Sequence, residues 1–354
     1  MPATPTNPLH PRIAALPKAE LHLHLEGSIR PATVVELAAR YGDSLTLDQA
    51  GARYCYSDFR GFLEAFKWVT SYLRQPEDFE LIVDRHADEL ISQNVVYAEF
   101  TVSIGVMLYY KSDPLKNFAA MLRASERALR KGLRLQWIFD AAWQFGPAAA
   151  VEVVRLAIEA RGAGAVAFGM GGDELMFPYA SFREAYELAA SAGLRLTAHA
   201  GEVGDARKIR DAIELLGAER IGHGLAVMHD LALQDLLAER GIALEICPTS
   251  NICTGALASQ LGRPSARIEE HPARSFLQRG VPVVLSTDDP AMFHTDLSAE
   301  YALAPRLGLT DEQVLAIIAA GFSRSFLATS EKESWLQQLR DRTRDAGDFR
   351  SPAA

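Results

Sequence analysis

The chain has 354 residues, 49% of them hydrophobic and 23% charged, a globular composition that excludes a disordered, collagen-like or coiled-coil protein. Its 36 Lys and Arg against 45 Asp and Glu leave a formal net charge of −9 at pH 7; without a basic block, that argues against a nucleic-acid or anionic-membrane partner. No apolar run approaches the roughly 18 residues of a bilayer span.

In chain order, short apolar runs rich in strand formers fall near 19–24, 95–103, 133–142, 166–170, 194–199, 220–225, 242–247 and 281–287. Segments of helical period separate them, such as VEVVRLAIEAR at 151–161 and RKIRDAIELLG at 207–217. Gly193, Gly217, Gly241 and Gly280 each stand just before a strand, where a helix end takes a residue tolerant of positive φ. Eight strand–helix repeats predict an α/β chain folded as a single (β/α)8 TIM-type barrel. An open doubly wound sheet is the alternative; its GxGxxG after the first strand is absent. The first two strands stand unusually far apart. FRGFLEAFKWVTSYL at 59–73 and PEDFELIVDRHADELISQ at 76–93 fill that gap with helical periodicity, so extra helices are expected between β1 and β2. The predicted organisation is a flexible leader over 1–15, a barrel over 16–340 and a polar tail over 341–354. The amino-terminal MPATPTNPLHPR lacks the apolar stretch of a secretory signal. Cys55, Cys247 and Cys253 are too few for a disulfide framework and fit a reducing cytoplasm.

Four of the nine histidines stand at or beside strand ends. His22 and His24 form an H-x-H; at period two both rings share one face and Leu21, Leu23 and Leu25 take the other. Two histidines of an exposed strand are the plain alternative, but an interior pair needs partners, and a metal ion supplies them. His199 ends the fifth strand in TAHAGE, and Asp288 and Asp289 end the eighth in VVLSTDDP. Taken singly, these read equally as a core histidine and a solvated turn. The convergence of three strand ends on His22, His24, His199 and Asp288 favours one Zn²⁺ with a position open to water. Glu202, three residues past His199, and His223, between two glycines, suit a general acid and base beside that water. After the fourth strand, GMGGDE places Gly172, Asp173 and Glu174 on the same rim; it lacks the Lys and Ser/Thr of a phosphate loop.

LPKAELHLHLEGSIRP at 16–31, GGDE at 171–174, TAHAGE at 197–202, RIGHG at 220–224, CPTSN at 247–251 and STDDP at 286–290 together resemble the adenosine deaminase family of zinc amidohydrolases. The resemblance implies a (β/α)8 barrel that hydrolytically deaminates a 6-aminopurine. It implies zinc ligands at His22, His24, His199 and Asp288. It also implies Glu202 as the acid that protonates purine N1 and His223 as the group that orients and deprotonates the water. By the same resemblance Asp289 bonds the N7 side, the Gly172 N–H faces N3, and Phe62 and Phe66 belong to an apolar lid. Glu26 departs from the Asp common among nucleoside enzymes; two residues past His24, it is expected at the cleft mouth, reading sugar hydroxyls. GHG and STDDP differ from the DHG and NSDDP of adenine enzymes. Adenosine is the expected substrate, 6-amino-6-deoxyfutalosine the alternative and adenine third. The expected partner is thus a small purine, with no nucleic acid or membrane. Two other classes are alternatives: an amidohydrolase of another branch acting on amides or phosphoesters, whose sites often use a lysine bridging two metals, with no lysine at a strand end here, and a noncatalytic purine-binding protein, in which a ligand is normally missing and none is.

Overall fold

The computed structural model describes residues 9–56 and 59–345. Among them eight parallel strands form one sheet in sequence order: β1 (Lys18–His24), β2 (Val95–Val102), β3 (Arg134–Ala142), β4 (Ala165–Gly171), β5 (Arg195–Ala200), β6 (Arg220–His223), β7 (Ala243–Ile246) and β8 (Val283–Leu285). The ring closes just beyond β8. Asp288 bridges Leu23, its N–H donates to the His22 carbonyl at 3.0 Å, and its own carbonyl accepts from the His24 N–H at 2.8 Å. The fold is the expected single (β/α)8 barrel.

Helices between the strands cover the barrel and start and stop where local chemistry dictates. In Leu231–Arg240, Asp230 accepts from the Leu233 N–H at 2.9 Å to cap the first turn, and Gly241 at φ 65° ends the helix before β7. Among the described residues, four α-helices fill the β1–β2 gap: Pro31–Arg40, Leu47–Arg53, Phe59–Thr70 and Pro76–Ser92. The main hydrophobic core lies between the strands and this helical layer, where Leu21, Leu23 and Leu25 are fully buried. A register irregularity in the β1–β2 ladder falls between Glu20 and Leu23, immediately around His22.

Both chain ends carry helices where they are described. Pro11–Ala15 form a short helix with Ile13 buried, and the Lys18 ammonium ties it down by donating to the Ala14 and Leu16 carbonyls, each at 3.0 Å. Residues 9–15, the described part of the expected leader, thus pack at the start of β1. The last helix runs Thr329–Asp345, so the expected polar tail begins inside it. The rest of both predicted segments, 1–8 and 346–354, lies outside the described residues. Among the described residues no helix is long and apolar enough to cross a membrane.

Candidate active site

The barrel's C-terminal rim gathers the predicted polar side chains into one buried cluster. His24 Nε2 lies 3.1 Å from His199 Nε2 and 3.3 Å from Asp288 Oδ1, and His22 Nε2 lies 3.4 Å from the same Asp288 oxygen. His22, His199, His223 and Asp288 each present an atom within 4.8 Å of the others, so five side chains converge. At both His223 (φ 59°) and Asp288 (φ 67°) the backbone enters the left-handed region, a strain that persists only where the surroundings enforce it. Gly222 must lack a side chain, because a Cβ there would stand 2.7 Å from His22 Cε1. Gly27 is equally constrained, since its Cβ would overlap the Asp289 carboxylate.

The protonation states suit a cation. Burial drives His24 down to about 4 and His199 well below its usual range, so both rings are neutral. Burial alone would raise Asp288; contact with His22 and the fields of His223, His24 and His22 outweigh it and keep this carboxylate ionised. His22 is opposed by burial too, yet Asp288 and Glu245 raise it to about 10, so its proton occupies the place a metal would take. The buried His22 Nε2 is within ionic range of Asp288 but makes no aligned hydrogen bond, so a metal ion that displaced its proton would break no hydrogen bond there. Two nitrogen-rich strand ends and one carboxylate are a donor set for a borderline divalent ion.

Several supporting residues escaped the sequence reading. His22 Nδ1 contacts Glu245 Oε2 at 2.8 Å; Glu245 Oε1 accepts from Arg220 Nε at 2.6 Å, and Arg220 continues to Glu99. All three charged residues are buried inside the barrel. Ser250 donates to Asp288 Oδ2 at 2.6 Å. Glu174 was expected only as a member of the rim segment after β4. Instead its own carboxylate accepts from the N–H groups of Gly201, Val203 and Gly204 at 2.8, 2.7 and 2.8 Å, so it holds the loop carrying Glu202. A charged residue within a strand (Glu99, Arg220, Glu245) was the available signal for this polar interior.

Glu202 Oε2 stands 3.6 Å from His223 Nε2, and Thr254 donates to Glu202 Oε1 at 3.4 Å. Burial first, then the carboxylates of Asp288 and Glu174, push Glu202 up to about 8, so it carries a proton at neutral pH. Burial and neighbouring Asp288 likewise raise Asp289 well above the carboxylate range; its Oδ1 has no partner. Glu26 is deeper than expected. It sits in the turn Glu26–Ser28, 2% exposed, with Oε1 accepting from the Ser103 N–H at 3.0 Å and Oε2 unpartnered. Burial raises it to about 7. Gly172, at φ 85°, follows the end of β4. Phe62, half-buried on the helix Phe59–Thr70, stacks on Phe293 with centroids 5.3 Å apart and leans on Phe66 at 6.0 Å. Phe293 lies four residues past Asp289, and its N–H donates to the Asp289 carbonyl at 3.0 Å, so this aromatic stack stands beside Asp289.

A family model described as adenosine deaminase matches residues 17–342. The chain belongs to the adenosine deaminase family. As a member it is a hydrolase acting on C–N bonds. It is 41% identical over 331 residues to an aminodeoxyfutalosine deaminase of Streptomyces avermitilis, covering 92% of this chain and 90% of that one. An adenine deaminase of Rhizobium leguminosarum is 32% identical over 328 residues, covering 92% and 99% respectively. Among solved structures, an amidohydrolase from Burkholderia ambifaria with bound Zn superposes with a TM-score of 0.84 at 28% identity, covering 96% of this chain and 94% of that one.

Proposed function

We propose that this protein hydrolytically deaminates a 6-aminopurine nucleoside, and that the preferred substrate is 6-amino-6-deoxyfutalosine. The observation that carries the choice is the 41% identity to an enzyme of that name, against 32% to the adenine deaminase. The preference for adenosine drawn from sequence gives way, because the two relatives described above are named for the other two substrates. A Zn²⁺ ion, one per chain, would be held by His22, His24, His199 and Asp288. His223 is left outside this set because its Nε2 faces Glu202. When bound, zinc lowers the pKa of a coordinated water towards ~7.

The chain's own residues account for the rest. Glu202, protonated at neutral pH, donates to ring N1, so that the purine can accept electrons at C6. Asp289, also protonated by burial, donates to N7. The Gly172 N–H faces N3. The unpartnered Glu26 Oε2 is free for a sugar hydroxyl, and the Phe62–Phe66 pair excludes water above the ring. A small-molecule substrate handled in the cytoplasm fits three free cysteines and the acidic charge.

Ammonia release from aminodeoxyfutalosine, adenosine, 2′-deoxyadenosine and adenine tests this ranking. The highest kcat/KM is expected for aminodeoxyfutalosine; adenosine or adenine in first place contradicts the substrate assignment.

A further inference from the structure

His271 lies outside every strand and plays no part in the chemistry above, yet it is 4% exposed and linked to His223 through Asn251, itself fully buried. The links are directional. Pro272 has no N–H, so the first peptide donor of the helix Ala273–Gln278 that can reach back is Ala273, whose N–H lies 3.2 Å from His271 Nδ1. A peptide N–H only donates, so His271 Nδ1 is unprotonated. Burial, then repulsion from His223, holds His271 down to about 3, and its single proton therefore sits on Nε2. That N–H faces Asn251 Oδ1 at 3.2 Å. With its oxygen committed there, Asn251 turns its NH₂ towards His223, and Nδ2 lies 3.0 Å from His223 Nδ1. An amide NH₂ only donates, so His223 Nδ1 must accept.

We infer that Asn251 and His271 are positioning residues that lock neutral His223 with its proton on Nε2, facing the cleft. Of the atoms that Nε2 faces, Asp288 Oδ2 at 3.9 Å belongs to an ionised carboxylate and can only accept, while Glu202 Oε2 stands at 3.6 Å. The opposite tautomer would need Asn251 to reverse. Its NH₂ would then meet the His271 Nε2–H, or His271 would switch and meet the Ala273 N–H. Each alternative buries two donors against each other. The ring therefore reaches the oxygen that attacks C6 as a hydrogen-bond donor, orienting that oxygen, rather than as the proton acceptor expected from sequence. The identity of that oxygen rests on the deaminase reading; the tautomer does not.

The experiment uses the metal-bound full chain with ¹⁵N-labelled histidine and reads ring nitrogen shifts by long-range ¹H–¹⁵N correlation, with His223 assigned by its absence in His223→Gln. An unprotonated shift at Nδ1 and a protonated one at Nε2 are expected; a proton on Nδ1, alone or with a second on Nε2, overturns the lock. Asn251→Asp offers His223 an acceptor, and the proton should move to Nδ1. kcat should then fall about 10²–10⁴-fold with KM changed much less, as for a misplaced proton in general acid–base chemistry. If Asn251→Asp does not fold, His271→Gln, which keeps a donor towards Asn251, should preserve the wild-type shifts, whereas His271→Ala should mix both tautomers. Shifts at His223 that ignore every one of these changes refute the relay. A protein that releases no ammonia from any aminopurine but carries the proton on Nε2 refutes the function and leaves the lock standing.

Discussion

Glu245→Gln is the most searching perturbation of the buried relay beneath His22. The wild-type carboxylate serves two donors at once: His22 Nδ1 at 2.8 Å and Arg220 Nε at 2.6 Å. A glutamine of the same size has one oxygen, and Arg220, a donor only, claims it. The amide NH₂ then faces His22 Nδ1, which must give up its hydrogen, so the neutral ring carries its proton on Nε2, the atom aimed at Asp288. The ligand atom is blocked until that arrangement is undone. Loss of a hydrogen-bond partner of a metal-bound histidine typically costs 10–100-fold in affinity, about 1.4–2.7 kcal/mol. The assay is competitive zinc titration against a chromophoric chelator, paired with thermal melting of the metal-free protein. Weakening by at least tenfold is expected for Glu245→Gln. Glu245→Ala should in addition lower stability by about 3–5 kcal/mol, because Arg220 loses one carboxylate partner inside the barrel. Unchanged zinc affinity in both variants would refute the claim that Glu245 sets the state of His22.

Glu202→Gln should keep metal and fold but lose about 10²–10⁴ in kcat, since an amide cannot protonate N1. The wild-type rate should fall as pH rises through about 8, where Glu202 loses its proton; a rate that climbs steadily past pH 9 contradicts its role as acid. Glu26 is raised from the ordinary 4.5 to about 7, so its favourable contribution is complete below about pH 4.5 and is lost as pH rises through about 7. Glu26→Gln should therefore gain stability relative to wild type between pH 5 and pH 8, by at most about 3 kcal/mol; parallel melting curves across that range refute it. Phe62→Ala removes the stack on Phe293 and should raise KM about tenfold for the preferred nucleoside, in line with one buried aromatic contact. An unchanged KM would assign Phe62 to helix packing alone.

The fold was legible because the strands of a parallel barrel are continuous apolar runs punctuated by glycines, and all eight emerged close to their observed bounds. The candidate rim was legible for a related reason: His22, His24, His199, His223, Asp288 and Asp289 interrupt or end apolar strands, and although each alone has a plain reading, their convergence at three or more strand ends does not. The inner shell was harder to see. Glu245 and Arg220 are single charged residues whose partner comes from another strand, and only closure of the barrel reveals that Glu99, Arg220 and Glu245 meet. Asn251 lies in a helix after β7 and His271 in an irregular stretch before Pro272; neither position has a periodicity that points anywhere. Glu26 was read as a mouth residue from its spacing, but the turn Glu26–Ser28 folds it inward onto Ser103.

Metal, site and reaction meet in one titration. Chelator-stripped protein is reloaded with zinc in substoichiometric steps while ammonia release from aminodeoxyfutalosine is followed. Activity should be absent in the stripped protein, rise in proportion to added zinc and stop rising at one ion per chain. Full activity without metal, or a break at two ions per chain, would contradict a single-ion deaminase site built on His22, His24, His199 and Asp288.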